Sequence, residues 1–272
     1  MKKQWKLGLY VLMLCAGCLL AGKCLRIFSG SPGKVGAGAE KPSDGTEKPT
    51  PEALDKVFTE EQRTALDGFD ARGKSVVLDA GHGGVDPGKV GVNGANEKEI
   101  NLKIAGRLKE YLEAAGFSVT MTRTTDDGLY SESDAKKKAA DMKARIKIIE
   151  DCKPEFAVSI HQNSFTHESS FGAQVFYYEK SEEGRKMAEQ LQATIKQLIA
   201  DENHRQAKAN TSYYLLKKSP CPMVIVECGF LSNPREADLL ITEEYQDKMA
   251  WAVCYGIVEY CRQSAKDTGA AE

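Results

Sequence analysis

The sequence has little net charge and no excess of basic residues. Its 272 residues include 37 lysines and arginines against 39 acidic residues, a formal net charge of −2 at pH 7. This balance excludes the strong positive field by which many proteins bind nucleic acid, so we expect no nucleic-acid partner. With 42% apolar and 28% charged residues, the composition is typical of a globular protein with one sizeable domain.

Cysteines are also poorly arranged for pairing or for a structural metal site. Three of the eight, Cys15, Cys18 and Cys24, lie in or beside an N-terminal apolar segment, and the remaining five contain no CxxC pair. Cys254 and Cys261 lie in a helical pattern that separates their Cα atoms by about 10 Å. Because a disulfide spans at most about 7 Å, we expect these thiols to be free, small and buried.

Long apolar runs are equally scarce, and the single one stands near the N-terminus. The basic start MKKQWK is followed by the uncharged stretch Leu7–Gly22, which Lys23 and Arg26 close. Such a segment is typical of an export signal, either cleaved or retained as a membrane anchor. No clear small-x-small cleavage site is present, which favours the anchor, and lipidation at Cys15–Cys18 is a weaker alternative. Residues 1–28 are therefore predicted to be a signal or anchor segment of an exported, extracytoplasmic protein.

The composition beyond this segment predicts the domain boundaries. Residues 29–54 are rich in Gly, Pro, Ser, Lys and Glu and have little to bury, which indicates flexible chain. We place a flexible tether at 29–72, with a short helix over 55–72 that leads into the domain. A single folded domain is predicted for 73–264 and a disordered tail for 265–272.

Short apolar runs alternate with helical patterns from Lys74 onward. The runs that predict strands are Ser75–Ala80, Ser118–Arg123, Phe156–Ile160, Ala173–Tyr178, Tyr213–Leu216 and Met223–Val226. The patterns that predict helices cover 98–115, 135–152, about 181–200 and 244–261. This alternation predicts an α/β fold, a twisted, mostly parallel sheet of about six strands flanked by helices. In such a sheet, sites form at the carboxyl ends of the strands.

Four polar residues fall near those carboxyl ends. His82 follows the first predicted strand, His161 the third and Glu227 the last, while Glu97 opens the first long helix. Two histidines and a carboxylate are a ligand set of catalytic zinc, which keeps a further position for water and lowers its pKa to about 7. We therefore predict that His82, Glu97 and His161 bind zinc. Glu227 is then placed to act as a general base and acid.

Each of these residues also has a simpler interpretation. A lone histidine beside glycine is more often a loop residue than a ligand, and Glu97 could merely complement the dipole of its helix. Asp86 and Asn163 could orient the histidine ligands or could form turns. His167 and His204 have no matching partners, so we expect them on the surface.

Five motifs, taken in order, resemble the zinc-dependent N-acetylmuramoyl-L-alanine amidases, also called amidase type 3. They are LDAGHGGVDPG, NEKEINL, MTRTTD, SIHQNS and VECGFLSN, and the resemblance covers about residues 75–262. It implies hydrolysis of the amide bond between muramic acid and the L-alanine of the stem peptide in peptidoglycan. It also implies that His82, Glu97 and His161 bind zinc and that Glu227 is the catalytic carboxylate. The fold implied by the family agrees with the strand and helix pattern.

The chain departs from the common family pattern at a few positions. SIHANA is usual where this sequence has Gln162 and Ser164 in place of the two alanines, and Ile149-Glu150 stands where Ala-Asn is frequent. None of these is a predicted ligand. The N-terminal apolar segment, KKKAADMKAR and YYLLKKS resemble more specifically the sporulation-type (CwlD-like) amidases. That group acts on the spore cortex, where peptide removal permits formation of muramic lactam.

The resemblance implies peptidoglycan as the substrate, and it leaves open an activating protein partner. The sequence contains no repeated wall-binding module, so recognition must come from the catalytic groove or from a partner. The N-terminal segment would hold the protein at the membrane or direct it toward the cell wall. Two rival functions remain, a zinc peptidase that cuts within the stem peptide and a non-catalytic cell-wall-binding protein. The presence of all four site residues argues against the second.

Overall fold

The computed structural model describes residues 57–199 and 202–267. The predicted signal or anchor segment at 1–28 and most of the predicted tether lie outside the described residues. Within the described ranges, no helix has the length and apolar character needed to cross a membrane.

The centre of the domain is a six-stranded sheet. Its strands are β1 (Ser75–Ala80), β2 (Ser118–Met121), β3 (Phe156–Asn163), β4 (Gln174–Tyr178), β5 (Lys208–Asn210) and β6 (Met223–Phe230). Their spatial order is β2-β1-β3-β6-β4-β5. Strands β2, β1, β3 and β6 are mutually parallel, β4 is antiparallel to β6, and β5 is parallel to β4. The parallel strands therefore bring their carboxyl ends to one edge, as the sequence predicted for a mostly parallel sheet.

Helices cover both faces of this sheet. They are α1 (Glu60–Leu66), α2 (Glu97–Ala114), α3 (Lys137–Cys152), α4 (Glu182–Ile199), α5 (Tyr214–Lys218), α6 (Pro234–Leu240) and α7 (Glu243–Asp267). Side chains alternate between the faces of a strand, so Val76 and Leu78 of β1 join the larger core while Val77 joins the smaller one. The larger core receives α2, α4 and α7, and the smaller core receives α3 and α5. The predicted α/β architecture is confirmed.

Residues 57–72, the last part of the tether predicted at 29–72, pack on the domain. Phe58 is only 4% exposed, and its ring lies 5.5 Å from that of Tyr111 and 5.8 Å from that of Trp251. Arg262 of α7 donates to backbone carbonyl oxygens in this segment. Residues 57–72 therefore belong to the folded domain, because they carry apolar side chains that the core buries. At the other end, α7 extends to Asp267 and takes in the start of the predicted tail.

Three further differences from the predicted elements have local causes. Tyr213–Leu216 was predicted as a strand but forms the start of α5, because Asn210 Oδ1 accepts the backbone N–H of Ser212 and of Tyr213 and turns the chain after β5. Strand β5 was missed because its three residues are polar or small and largely exposed. Helix α6 was missed because its apolar stripe is short, although Asn233 caps it and proline opens it.

Candidate metal centre and catalytic carboxylate

Glu97, the first residue of α2, lies between the rings of His82 and His161. Its Oε2 is 3.2 Å from Nε2 of His82, and its Oε1 is 2.9 Å from Nδ1 of His161. The two imidazole rings are 4.9 Å apart in an edge-to-face arrangement. One possible ligand atom from each residue lies within 4.8 Å of the others. The structure therefore brings together the three side chains predicted as ligands, and together they could hold a metal ion.

His82 has an unusual backbone conformation. Its φ is 63°, in the left-handed region that residues other than glycine rarely adopt. Reciprocal backbone hydrogen bonds of 3.1 Å between Gly83 and Asp86 close the turn that follows. Gly88 then passes so close that a Cβ there would lie 2.5 Å from Oε2 of Glu97 and 2.6 Å from Cδ2 of His82. The glycine-rich sequence after β1 is thus required by close packing around the histidine ring.

A buried arginine holds this turn from the smaller-core side. Arg145 of α3 donates to the backbone carbonyl oxygen of Ala80 at 2.8 Å and to that of His82 at 2.6 Å. Its charge is balanced by Asp79 and Asp141, each at 2.6 Å. A buried guanidinium needs such paired carboxylates, because an unpaired charge is costly inside a protein. The position of His82 therefore depends on an ion-pair network that reaches from β1 to α3.

Asp86 contacts the far side of the His82 ring. Its Oδ2 lies 3.1 Å from Nδ1 of His82 and 3.0 Å from Nζ of Lys138, and its Oδ1 accepts the backbone N–H of Gly88. Asp86 is thus placed to orient the histidine, one of the two roles considered from the sequence. Asn163 is the last residue of β3, and its side-chain oxygen accepts the backbone N–H of Ser164 at 2.8 Å.

His161 and Glu227 are partners in register on the parallel strands β3 and β6. Both were predicted on loops beyond the strand ends, and this detail is corrected. Strand β3 continues to Asn163 and β6 to Phe230, with an irregularity in their register between His161 and Asn163. The ladder continues through these polar residues because each strand has a neighbour on both sides. As a result, both side chains are attached to rigid backbone.

The two carboxylates of the site have opposite electrostatic environments. Burial alone would raise the pKa of Glu97, but hydrogen bonds from His161 and His82 hold it well below its usual range. Burial raises the pKa of Glu227 to about 7, against the attraction of the nearby His161 and with a contribution from Glu97. Glu227 is 8% exposed, and its Oε2 is buried without a hydrogen-bond partner among the described residues. An unpaired carboxylate oxygen of this kind is costly for folding and typical of a functional group.

A cavity of about 450 Å³ opens above these side chains. Its lining includes the four site residues, residues of α3 and residues at the start of α5. Apolar and aromatic side chains in the lining include Met142, Tyr213, Tyr214, Leu215 and Ile225. The lining therefore combines apolar surface with charged groups of both signs, as is usual for a ligand-binding cavity.

Several buried polar residues that bond to the site were not predicted from the sequence. Asp79, Arg145 and Asn101 are each no more than 1% exposed, yet no motif marks them as ligands. Their signal is the presence of a polar residue at a position that faces the core. Asp79 interrupts the apolar run of β1, and Arg145 precedes Ile149 of α3 by one helical turn. Such positions attract polar residues only when buried partners are present.

The remaining histidines and cysteines agree with the sequence expectations. His167 and His204 are exposed. The cysteines of the described residues are free; Cys228, Cys254 and Cys261 are buried, while the other two are partly buried.

The chain is similar to known proteins in both sequence and structure. Residues 76–259 match the N-acetylmuramoyl-L-alanine amidase family. The chain is 39% identical over 191 residues to the germination-specific N-acetylmuramoyl-L-alanine amidase of Bacillus subtilis, covering 69% of this chain and 80% of that protein. The solved CwlD amidase from Clostridioides difficile, in complex with the GerS lipoprotein, has a TM-score of 0.68 and 38% identity, covering 70% of this chain and 99% of that one. The amidase AmiC2 of Nostoc punctiforme has a TM-score of 0.60 and 33% identity, covering 70% of this chain and 97% of that one.

These similarities extend over almost the whole described domain and include both the sheet and the loops that carry the polar site. The family resemblance inferred from the five motifs is confirmed. This chain belongs to the N-acetylmuramoyl-L-alanine amidases, hydrolases that cleave the amide bond between muramic acid and the L-alanine of the peptidoglycan stem peptide.

Proposed function

We propose that this protein is a zinc-dependent amidase of the spore cortex, in which His82, Glu97 and His161 bind the metal and Glu227 transfers protons. The single observation that carries the proposal is the position of Glu97 between two imidazole nitrogens, at 3.2 and 2.9 Å, with the unpaired oxygen of Glu227 in the same cavity. Two imidazoles and one carboxylate are a donor set that zinc prefers at catalytic sites.

The metal and the protein residues would divide the chemistry between them. A zinc ion held by these three side chains would supply a Lewis acid for the scissile carbonyl and for a water molecule. Glu227 accepts the proton of the attacking water at its free Oε2 and delivers it to the alanine nitrogen as the amide bond breaks. An amide nitrogen leaves poorly unless it is protonated, so this second transfer is as necessary as the first.

The protein residues around the ligands fix their geometry. Asp86 lies 3.1 Å from Nδ1 of His82, while Nε2 of the same ring faces Glu97. Backbone N–H groups of Lys89 and Gln162 donate to the two oxygens of Glu97 at 2.8 and 3.0 Å and keep the carboxylate plane fixed. Residues of α3 and α5 that line the cavity would help to align the peptide.

The relatives support a proposal for the place of action and for a protein partner. The similar Bacillus subtilis enzyme is named germination-specific, which supports a role in the spore. We propose that the protein acts outside the cytoplasm, with residues 1–28 as its signal or membrane anchor. The similar CwlD structure contains the GerS lipoprotein, which supports an activating protein partner for this chain as well.

Analysis of reaction products tests the proposed activity. Peptidoglycan is incubated with the protein, either loaded with zinc or stripped by a chelator, and the fragments are identified by mass spectrometry. We expect free stem peptides that begin with L-alanine, formed only by the zinc-loaded protein. Fragments cut within the stem peptide would instead indicate a peptidase. In the host bacterium, deletion of the gene should give spores whose cortex lacks muramic lactam, and normal lactam content would contradict the cortex role.

A further inference from the structure

The carboxylate of Glu97 accepts hydrogen bonds from two neighbouring residues, Gln162 and Asn101. Its Oε1 accepts the backbone N–H of Gln162 at 3.0 Å and the side-chain Nδ2 of Asn101 at 3.3 Å, in addition to its contact with His161. Asn101 follows Glu97 by one turn of α2, so both side chains project from the same face of the helix. The orientation of Glu97 therefore depends on the orientation of the Asn101 amide.

The Asn101 amide can serve Glu97 in only one of its two orientations. Its Nδ2 donates to the backbone oxygen of Gly81 at 3.0 Å as well as to Glu97, and its Oδ1 accepts Nε2 of Gln162 at 3.0 Å. If the amide were reversed, its oxygen would face two oxygen atoms and its NH₂ would face another NH₂ group. The orientation that supports the carboxylate is thus favoured by three groups together, namely the oxygens of Gly81 and Glu97 and the donor from Gln162.

Folding stability does not account for the choice of glutamine at this position. Gln162 is 4% exposed, and its Oε1 is buried without a hydrogen-bond partner among the described residues. A buried oxygen without a partner disfavours folding. The sequence nevertheless has glutamine where the family that it resembles commonly has alanine. Gln162 is thus unfavourable for folding, and it bonds to Asn101, which in turn supports Glu97. The presence of glutamine is explained most simply by a role in the site.

We propose that Gln162 is a positioning residue that acts through Asn101 to hold Glu97 in its metal-binding orientation, so that this chain binds zinc more tightly than it would with an apolar residue at 162. The inference rests on the proposed function, because it takes Glu97 to be a metal ligand. The side chain of Gln162 has no hydrogen bond to either histidine, and its effect on Glu97 is carried by two hydrogen bonds in series.

A double-mutant cycle on zinc affinity tests this inference. The dissociation constant for zinc alone is measured with the full-length protein by competition with a chromophoric chelator. Gln162→Met keeps most of the side-chain volume and removes the donor, while Asn101→Ala removes the group that contacts Glu97. We expect each substitution to raise the dissociation constant about tenfold, the lower end of the effects seen for residues that support metal ligands. Because Gln162 acts through Asn101, the double variant should be no weaker than about tenfold.

A matched control is available elsewhere in the chain. Gln192 of α4 is also a buried glutamine, and its amide bonds only to the backbone of Ala173 and Val175. Gln192→Ala should leave the zinc dissociation constant unchanged. Gln162→Ala, which places the residue common in the family at this position, is a second variant in case the methionine disturbs packing, and it should weaken zinc binding to the same extent.

Each other outcome has a distinct meaning. Wild-type zinc affinity in both Gln162 variants would overturn the positioning role. A loss of about a hundredfold in the double variant would show that Gln162 does not act through Asn101. Equal weakening of zinc binding by Gln192→Ala would show that the effect arises from a general loss of stability. If the wild-type protein itself binds no zinc, the proposed function fails, and this inference fails with it.

Discussion

Glu227 and His161 lie side by side on adjacent parallel strands, β6 and β3, and are partners in the strand register. This arrangement fixes the distance between the predicted proton-transfer group and a predicted metal ligand through backbone hydrogen bonds. Side chains on neighbouring strands of one sheet keep their separation more accurately than side chains on loops. The reaction centre is therefore part of the sheet. Substitution of Glu227 should affect turnover, and substitution of the predicted ligands should affect metal binding.

Replacement of Glu227 by glutamine should strongly decrease turnover without loss of bound zinc. The amide keeps the shape of the side chain but cannot accept the proton of water, so we expect a decrease in kcat of on the order of a hundredfold or more. Zinc content and the free energy of unfolding should stay near the wild-type values. Released stem peptide and metal content are the measurements. Loss of zinc in this variant would make Glu227 a ligand, and wild-type turnover would remove it from the mechanism.

A partly buried glutamate away from the site provides the control for this substitution. Glu236 accepts the backbone N–H groups of Gly172 and Phe230 at 2.9 and 2.8 Å, away from the histidines. Glu236→Gln should lower stability and leave kcat largely unchanged, the opposite of the pattern expected for Glu227.

Replacement of any of the three predicted ligands should markedly weaken zinc retention. His82→Ala, Glu97→Ala and His161→Ala each remove one of three protein donors, and the purified wild-type protein should carry about one zinc ion. Metal analysis after dialysis is the measurement. His167→Ala is the control, because His167 is exposed and belongs to no such cluster. Full zinc occupancy in His161→Ala would show that His161 is not a ligand.

Replacement of Asp79 by asparagine should destabilise the domain in a pH-dependent manner. Burial alone would raise the pKa of Asp79, but the charge of Arg145 and the Ser159 hydroxyl lower it to about 2. In the unfolded chain its pKa is about 3.9, so the stabilisation is fully present above that value and is lost as pH falls toward 2. We expect a loss of about 3 kcal/mol at pH 7, because the substitution leaves a buried guanidinium with one carboxylate fewer.

Urea unfolding of the zinc-free protein measures this effect. The ionisation contribution of about 2 to 3 kcal/mol at pH 7 should fall to roughly half at pH 3, so the difference between wild type and Asp79→Asn should shrink over that range. Ser159→Ala serves as a comparison, since it removes one hydrogen bond and keeps the ion pair. A difference that is constant from pH 7 to pH 3 would contradict the assigned pKa shift.

Truncation at two points should separate the tether from the folded domain. A protein that begins at Asp55 should fold and remain soluble, whereas one that begins at Gly73 loses α1 and the ring of Phe58 that packs on Tyr111 and Trp251. Loss of a buried phenylalanine alone costs about 3 kcal/mol or more, so the shorter protein should have a clearly lower Tm. Thermal denaturation followed by circular dichroism is the measurement. Equal Tm values would restore the boundary at residue 73.

The sequence predicted the parts of the site that obey a general rule of parallel sheets. His82 and Glu97 follow β1, and the rule that sites form at the carboxyl ends of strands places them correctly. For His161 and Glu227 the rule gave the correct sheet edge but the wrong local structure. The apolar runs end before these residues, yet the strands continue because the backbone ladder between β3 and β6 does not depend on apolar side chains.

The supporting residues could not be predicted because their roles depend on contacts distant in sequence. Arg145 lies on a helix with many lysines, where an arginine normally faces solvent, and only the fold shows that it reaches Asp79 and the carbonyl of His82. Gln162 is a single change within the SIHQNS motif, and the motif does not show its hydrogen bond to Asn101, which is distant in sequence. The helix at α5 was mistaken for a strand because a short apolar run has no periodicity that distinguishes the two.

The left-handed conformation of His82 limits how this chemistry could be transferred to another protein. Grafting the GHGG turn onto the end of a different parallel strand would supply the histidine and the glycines. It would not supply the guanidinium of Arg145, which donates a hydrogen bond to the backbone carbonyl oxygen of His82. Without α3 behind it, the turn should relax to an ordinary extended or helical conformation and direct the imidazole elsewhere. A designer of a minimal amidase would therefore have to transplant β1, α2 and α3 together with β3 and β6, which carry His161 and Glu227, because the unit that can be moved is a set of packed elements rather than a motif.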